Sequence, residues 1–300
     1  MIPDYPALKT LTCEDFPILK QYLDAYAPQI CELSPIVLEI WREIDHPKLT
    51  MLNGNLCISI SPENMTPFFL EPIGQTKLIE TVTQLLQDHG RLSRVSQRVA
   101  DQLSGKHEFS ITPLRDHFDY MYKTQVLSDL KGRQYDGKRN HINKFKRAFS
   151  HYEFIPITRD FKDAALAVLD EWHANKKERH EHYYISYLFQ RIALEHVFKC
   201  FDKYSVMGEY IQTDQGIKGF MLGSPLNADT CCAHFQYGLY DAPGIFPVLL
   251  QQFCKQVKDK YTFINLEQDM GIPGIRKAKL SYYPIELIMK YEVLFSHSNV

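Results

Sequence analysis

The feature that most limits the possible folds of this chain is a weak internal repeat. Residues 11–15 (LTCED) and 157–161 (ITRDF) resemble each other, and each phrase precedes an amphipathic helical pattern. In both halves, helices are followed by runs typical of antiparallel strands and then by a strand–helix–strand pattern. This mixture predicts an α+β (α/β layered) fold, and its repetition predicts two similar domains, 1–156 and 157–300.

Local patterns predict several individual elements. Asn53-Gly54, between two strand-like runs, predicts a hairpin, and residues 214–216 predict another. Residues 93–103 are predicted to form a helix. A further helix is expected to begin at about Asp136 and to turn one apolar stripe toward the core. The stripe consists of Ile142, Phe145 and Phe149.

Basic charge is concentrated in residues 131–147. Seven lysines and arginines lie there beside one acid, whereas the whole 300-residue chain has a net charge of −2. On the expected helix, Lys138 shares the face of the apolar stripe, Arg139 lies at its edge, and Asn140 points away. Cations in a first helical turn cost about 0.3–1 kcal/mol each unless an anion is present. Lys138, Arg139 and the free N–H groups of the helix start therefore predict an anion site, with a solvated helix face as the alternative interpretation.

A second polar constellation covers residues 265–279. A strand is expected to place Asn265, Glu267 and Asp269 at its carboxyl end, and a Gly-Ile-Pro-Gly turn then opens a short helix. Polar strand ends beside a helix start are where layered sheets bind ligands. The helix carries three cations, Arg276, Lys277 and Lys279. The alternative interpretation is a network of ion pairs that only holds the loop in place.

Several classes of protein are excluded by composition and by missing motifs. A net acidic chain lacks the basic footprint of a DNA-binding protein, so no DNA partner is expected. Seven cysteines without CxxC spacing indicate reduced thiols and predict a cytoplasmic location. We predict no signal peptide, because residues 1–16 have neither a basic n-region nor a long apolar h-region. We predict no integral membrane segment, because no apolar run reaches 18 residues. His180 and His182 have no third ligand at a recognisable spacing, so no metal site is predicted.

Two long phrases resemble a known family. LKGRQYDGKRNHINKFK at 130–146 and NLEQDMGIPGIRKAKLSYYP at 265–284, with KYE at 290–292, resemble bacterial proteins related to the C-terminal domain of phosphatidylglycerol lysyltransferases. The resemblance implies two tandem GNAT-like acyltransferase domains with mixed central sheets flanked by helices. The Fem aminoacyltransferases, which use aminoacyl-tRNA, share this layout.

The donor stays open at this point. GNAT domains that use acetyl-CoA are expected to carry Q/R-x-x-G-x-G/A after the central strand, and residues 239–244 (LYDAPG) and 72–74 depart from that pattern. The lysyltransferases also have a membrane domain with no counterpart in these residues, so the resemblance does not imply a phospholipid acceptor. Acyl-CoA and aminoacyl-tRNA are therefore both retained as donors.

We expect an acyltransferase or aminoacyltransferase that moves an activated acyl group to an amine and requires no cofactor. Glu267 or Asp269 is the expected general base, and Asn140 and Asn265 are expected to orient the substrate. The anionic part of a substrate, such as a small molecule or the acceptor end of a tRNA, would be bound by the cations Lys138, Arg139, Arg276, Lys277 and Lys279. The alternative is a catalytically inactive GNAT-fold protein that binds a nucleotide, RNA or another anionic ligand. The sequence leaves the oligomeric state open.

Overall fold

The computed structural model describes residues 1–63, 65–175 and 181–296, with only the backbone described for 181–185. Within these residues, the strands are β1 (Lys9–Thr10), β2 (Lys48–Leu52), β3 (Asn55–Ile60), β4 (Phe68–Phe69), β5 (Leu92–Ser96), β6 (Phe109–Pro113), β7 (Asp119–Lys123), β8 (Tyr152–Pro156), β9 (Met207–Thr213), β10 (Gly216–Pro225), β11 (Thr230–Gly238), β12 (Phe263–Gln268), β13 (Glu286–Ile288) and β14 (Lys290–Phe295). The α-helices are α1 (Phe16–Tyr26), α2 (Pro35–Ile40), α3 (Arg42–Asp45), α4 (Leu78–His89), α5 (Gln97–Leu103), α6 (Thr124–Asp129), α7 (Asp136–Ala148), α8 (Lys162–Ala174), α9 (Glu181–Lys199), α10 (Ile245–Val257) and α11 (Pro273–Leu280).

The chain divides into two compact units. The first comprises Met1–Tyr120, Gln268–Lys277 and Glu286–Val300, and the second comprises Met121–Glu267 and Ala278–Ile285. This division follows spatial proximity and assigns residues 121–156 to the second unit. The domain boundary expected after residue 156 therefore stays a prediction.

The first unit is built on a seven-stranded sheet in the order β1-β2-β3-β4-β5-β14-β6. β4 and β5 run parallel, whereas the other recorded neighbours are antiparallel, so the sheet is mixed. Helices α4 and α5 pack against it through a core that includes Val82, Leu85, Val95 and Val99, all fully buried. The hairpin predicted at Asn53-Gly54 is confirmed, because Leu52 pairs with Asn55 and both turn residues have positive φ.

A buried lysine joins β14 to the rest of the first unit. The ammonium of Lys290 is inaccessible to solvent and lies 2.5 Å from a carboxylate oxygen of Glu32 and 2.6 Å from one of Asp119. Burial opposes the charge of Lys290, but Asp119, Cys31 and Glu32 outweigh that effect and raise the pKa of its ammonium. The backbone N–H of Cys31 also donates to Asp119, at 2.9 Å. One buried cation therefore serves two buried carboxylates, and Arg94, 3.7 Å from Glu32, adds a second positive charge nearby.

The second unit is built on a sheet that contains β7, β12, β11, β10, β9 and β8 in this order. β11 and β12 run parallel, whereas β8 to β11 are joined by antiparallel pairs. The hairpin predicted across residues 214–216 is confirmed as β9 and β10. Helices α8 and α10 pack against β10 and β11. Both sheets are thus mixed and flanked by helices, which confirms the predicted α+β class.

The basic helix forms as predicted, but one other helix does not. α7 begins at Asp136, and Ile142, Phe145 and Phe149 are buried as the expected stripe. The helix predicted over residues 93–103 is wrong in its first part, because Leu92–Ser96 forms β5 between β4 and β14. Leu92 and Val95 are fully buried there, so long-range pairing and burial outweigh the local helical pattern.

Replacing Lys290 with Met is expected to lower the free energy of unfolding by roughly 3–5 kcal/mol. The variant keeps the volume but leaves Glu32 and Asp119 buried without their cation. Urea denaturation measures the change, with the exposed Lys144→Met as the control, expected within about 0.5 kcal/mol of wild type. Equal stability of the two variants would contradict the assignment of this ion cluster as a structural requirement.

Candidate functional site

In the second unit, two parallel strands stop pairing before either strand ends. β11 and β12 are in register at Thr230↔Phe263, Cys231↔Ile264 and Cys232↔Asn265, yet β11 continues to Gly238 and β12 to Gln268. Beyond the last pair, the two strands contribute His234 and Glu267. Ligands bind at such carboxyl ends in layered sheets.

A β-bulge presents His234 at this position. β10 pairs Leu222 with Phe235 and Gly223 with Ala233, so His234 has no opposite residue on β10. Bulges re-aim a side chain and are frequent beside active sites. The His234 side chain is 2% exposed, and its Nδ1 lies 2.7 Å from Oε1 of Glu267. Its Nε2 lies 2.7 Å from Oγ of Ser224, which is also buried.

Glu267 is held through three separate groups. Its backbone N–H donates to Oδ1 of Asn265 at 2.7 Å, and its carbonyl accepts from Nζ of Lys279 at 3.1 Å. The hydrogen bond to His234 fixes the side chain, which stays 26% exposed. The backbone of Glu267 has φ +58, a conformation that costs non-glycine residues about 1–3 kcal/mol and is concentrated at functional sites. Glu267 is therefore a partly exposed carboxylate with little freedom to move.

In the basic helix α7, Lys138 forms no ion pair with a carboxylate of the described residues. Lys138 is half-buried, and its Nζ donates to Oγ of Ser281 at 2.6 Å and lies 3.7 Å from the ring centroid of Tyr282. Burial lowers the pKa of the Lys138 ammonium. Arg139 differs, since its guanidinium donates to the carbonyls of Leu130 and Gly132 and pairs with Asp136. Asn140 is exposed.

Asp269 lies in the first unit and is surrounded by donors. Arg276 pairs with both of its oxygens, at 2.8 and 2.9 Å, and Arg115 and Tyr120 also donate to it. The backbone N–H of Gly271 donates at 2.8 Å. Burial would raise the pKa of the Asp269 carboxyl, but these hydrogen bonds, led by that of Arg276, hold it well below its usual range. Arg276 also pairs with Asp116, whereas Lys277 is exposed.

The structure thus divides the predicted site residues between the two units. Asn265, Glu267 and Lys279 come together in the second unit. Lys138, Arg139 and Asn140 also belong to the second unit, whereas Asp269, Arg276 and Lys277 belong to the first. Their functional roles stay predictions.

The sequence analysis missed His234 and Ser224. No local signal marks them, because the residues around His234 (CCAHFQY) have an ordinary strand pattern. A bulge depends on the register with β10, which one strand's sequence does not reveal.

One group of described residues has the composition of a metal site. Cys31, Glu32 and Asp119 place potential ligand atoms within 4.8 Å of one another. The ammonium of Lys290 lies among them and supplies the positive charge itself. His180 and the side chain of His182 lie outside the described residues, and the absence of a metal site stays a prediction. Among the described helices, none combines the length and apolar character needed to cross a bilayer.

The two mixed sheets, flanked by helices, define an α+β fold of the kind found in FemX. The chain belongs to the family described as phosphatidylglycerol lysyltransferase, C-terminal, whose model matches residues 26–294. The resemblance inferred from the sequence is therefore confirmed. No curated protein matches the chain.

Solved structures share the fold over nearly the whole chain. A conserved protein of unknown function from Bacteroides thetaiotaomicron is 26% identical, with a TM-score of 0.87 over 99% of this chain and 100% of that one. L-PGS from Bacillus licheniformis is 16% identical, with a TM-score of 0.65 over 97% and 94% of the two chains. FemX is 7% identical, with a TM-score of 0.61 over 95% and 96%.

Replacing Asp269 with Asn is expected to lower the free energy of unfolding at pH 7 by roughly 1.5–3 kcal/mol, because charge-assisted hydrogen bonds are lost. The folded state lowers the pKa of this carboxyl, so its contribution is complete above the unfolded pKa of about 4 and is lost as the pH falls further. Denaturation curves at pH 7 and pH 3 measure both effects, and Lys277→Ala serves as the control. If the difference in free energy of unfolding between the wild type and Asp269→Asn were the same at pH 3 as at pH 7, the ion-pair explanation would be contradicted.

Proposed function

We propose that the protein transfers an aminoacyl group from an activated ester, such as aminoacyl-tRNA, to an amine or hydroxyl acceptor. The observation that carries the proposal is the fixed, partly exposed carboxylate of Glu267 beside the parting strands. Membership of the lysyltransferase family supports aminoacyl transfer as the class of reaction. Phosphatidylglycerol, which the family description names, offers a hydroxyl, whereas the sequence analysis favours an amine.

Glu267 is the general base of the proposed reaction. The acceptor attacks the carbonyl carbon of the ester while its proton moves to Glu267, and the C–O bond to the tRNA ribose then breaks. The proton passes from Glu267 to the departing ribose oxygen, so atoms and charge balance. A positioned base of this kind increases the reaction rate about 10²–10⁴-fold.

Asp269 is less suited to the same role. Its two oxygens already accept hydrogen bonds from Arg276, Arg115, Tyr120 and the Gly271 backbone. Taking a proton would break part of this network, and its lowered pKa makes the carboxyl a weak base. We therefore assign the base to Glu267 and a structural role to Asp269.

The proposed contacts to substrate anion are Lys138 and Lys279. Lys138 has a hydroxyl and an aromatic ring as neighbours, so a phosphate would gain an ammonium that no carboxylate within the described residues already neutralises. Lys279 donates to the carbonyl of Glu267 and thus lies beside the base. Arg139 and Arg276 contribute less to this proposal, because their guanidinium groups already contact oxygens of the protein.

The helix start after β11 favours aminoacyl-tRNA over acyl-CoA as the donor. In GNAT domains that use acetyl-CoA, backbone N–H groups after the central strand bind the pyrophosphate. Here a Cβ at Gly244 would clash with the carbonyl of His141, so the backbone of α7 lies directly against the start of α10. Asp241 adds a carboxylate to the same loop and pairs with Lys218 at 2.6 Å. The lack of room at this helix start disfavours a pyrophosphate there.

Glu267→Gln is expected to lower kcat by at least about 10²-fold while the protein stays folded. The assay supplies the protein with tRNA charged with radiolabelled amino acids, and with amine and hydroxyl acceptors that include phosphatidylglycerol vesicles. Glu153→Gln, an exposed β8 residue, is the matched control and should keep wild-type turnover. Ligand binding without any turnover by the wild type would favour the catalytically inactive binding protein instead.

Lys138→Met is expected to raise the donor KM and to reduce the salt dependence of tRNA binding. Removing one phosphate contact should lower the slope of log K against log salt by about 0.7–0.9. Filter binding between 50 and 200 mM salt measures this slope, with Lys144→Met on the exposed face of the same helix as the control. Identical slopes for both variants would remove Lys138 from the anion site.

A further inference from the structure

A hydrogen-bonded chain runs inward from Glu267. Its carboxylate oxygen Oε1 meets Nδ1 of His234, and Nε2 of the same ring meets Oγ of Ser224, both at 2.7 Å. The Glu267 side chain is 26% exposed, that of His234 is 2% exposed, and Ser224 is 1% exposed. The chain therefore has one accessible end, the carboxylate, and one buried end, the hydroxyl.

This direction is the reverse of that in a serine hydrolase. There the serine faces the substrate and the carboxylate is buried behind the histidine. Here the serine hydroxyl cannot meet an ester, because Ser224 lies beneath His234 and away from solvent. The serine and the histidine therefore support the carboxylate of Glu267, which is the group that can reach a substrate.

The short contacts on both sides of the ring favour one tautomer of the imidazole. The Ser224 hydroxyl has one hydrogen, and its other acceptor, the Pro225 carbonyl, is 3.5 Å away, beyond the usual O–H···O range of 2.5–3.0 Å. The closer acceptor is Nε2 of His234, at 2.7 Å. If Ser224 donates to it, the ring hydrogen is on Nδ1 and is donated to Oε1 of Glu267.

We propose that Ser224 and His234 are positioning residues that hold Oε1 of Glu267, so that Oε2 is the oxygen that takes the proton from the acceptor. This inference rests on the proposed function. During the step, the acceptor N–H or O–H bond breaks and the proton binds Oε2, while the hydrogen on Nδ1 stays on the imidazole. Ser224 acts only through the ring, by keeping Nε2 as the acceptor.

The tautomer is tested directly by NMR of protein labelled with ¹⁵N-histidine. The His234 imidazole, identified as the signal that vanishes in His234→Asn, should have a protonated Nδ1 and an unprotonated Nε2. Ser224→Ala should shift the signal toward a mixture of tautomers, whereas Ser128→Ala, another buried serine of the second unit, should leave it unchanged. A protonated Nε2 in the wild type would overturn the proposal.

Kinetics separate positioning from a structural role. His234→Phe, which lacks the donor, should lower kcat by about 10²-fold with little change in donor KM, because the base loses its orientation. His234→Asn places an amide N–H near the position of Nδ1. Its kcat should therefore be at least about tenfold higher than that of His234→Phe. Ser224→Ala should reduce kcat less than His234→Phe, and Ser128→Ala should not reduce it. Equal kcat in wild type and His234→Phe would overturn the positioning role while leaving the proposed function in place.

Two further outcomes distinguish the hypotheses. An acyl group found on Ser224 by mass spectrometry of the mixed reaction would overturn the positioning role, since it would make the serine a nucleophile. Absence of turnover in the wild type with every charged tRNA would remove the proposed function and the catalytic part of this inference. The NMR spectrum would still decide the tautomer in that case.

Discussion

The early end of the pairing between β11 and β12 is the constraint on which the polar centre of the second unit depends. Parallel pairing stops at Cys232 and Asn265, so the following residues of β11 and β12 no longer pair with each other. A bulge opposite β10 then turns His234 toward Glu267, and a left-handed backbone at Glu267 completes the approach. Neither distortion would persist alone, because each costs backbone energy that the hydrogen bonds of Glu267 with Asn265, Lys279 and His234 must offset.

Most of what the sequence predicted correctly depends on neighbours along the chain. The buried stripe of α7 and the turn at Asn53-Gly54 follow from periodicity and from turn chemistry. The errors and omissions arise where distant strands decide the outcome. Leu92–Ser96 becomes a strand because β14, near the end of the chain, pairs with it. His234 is a bulge residue only relative to β10, so its role needed the register that three-dimensional structure supplies.

Spacing predicted the helices that carry these cations but did not distinguish the environments of the individual side chains. Lys138 and Arg139 are adjacent in sequence, yet Asp136 and two carbonyls engage the arginine, while the lysine lies beside a hydroxyl and an aromatic ring. Arg276 repeats the pattern of Arg139, with Asp269 and Asp116 as its partners. Whether a cation is available to a ligand depends on which acids the fold brings to it. This is why the anion-binding proposal narrows to Lys138 and Lys279.

The position of β14 has a consequence for how the protein is made. This strand, Lys290–Phe295, lies between β5 and β6 in the sheet of the first unit, and its lysine pairs with Glu32 and Asp119 there. A ribosome synthesises Asp119 171 residues before that lysine, and Glu32 earlier still. During translation, the sheet therefore lacks an internal strand and the cation between its two buried acids until β14 has emerged. Folding of that sheet is thereby delayed until β14 has been synthesised, and a chain that stops before β14 would expose the unpaired edges of β5 and β6.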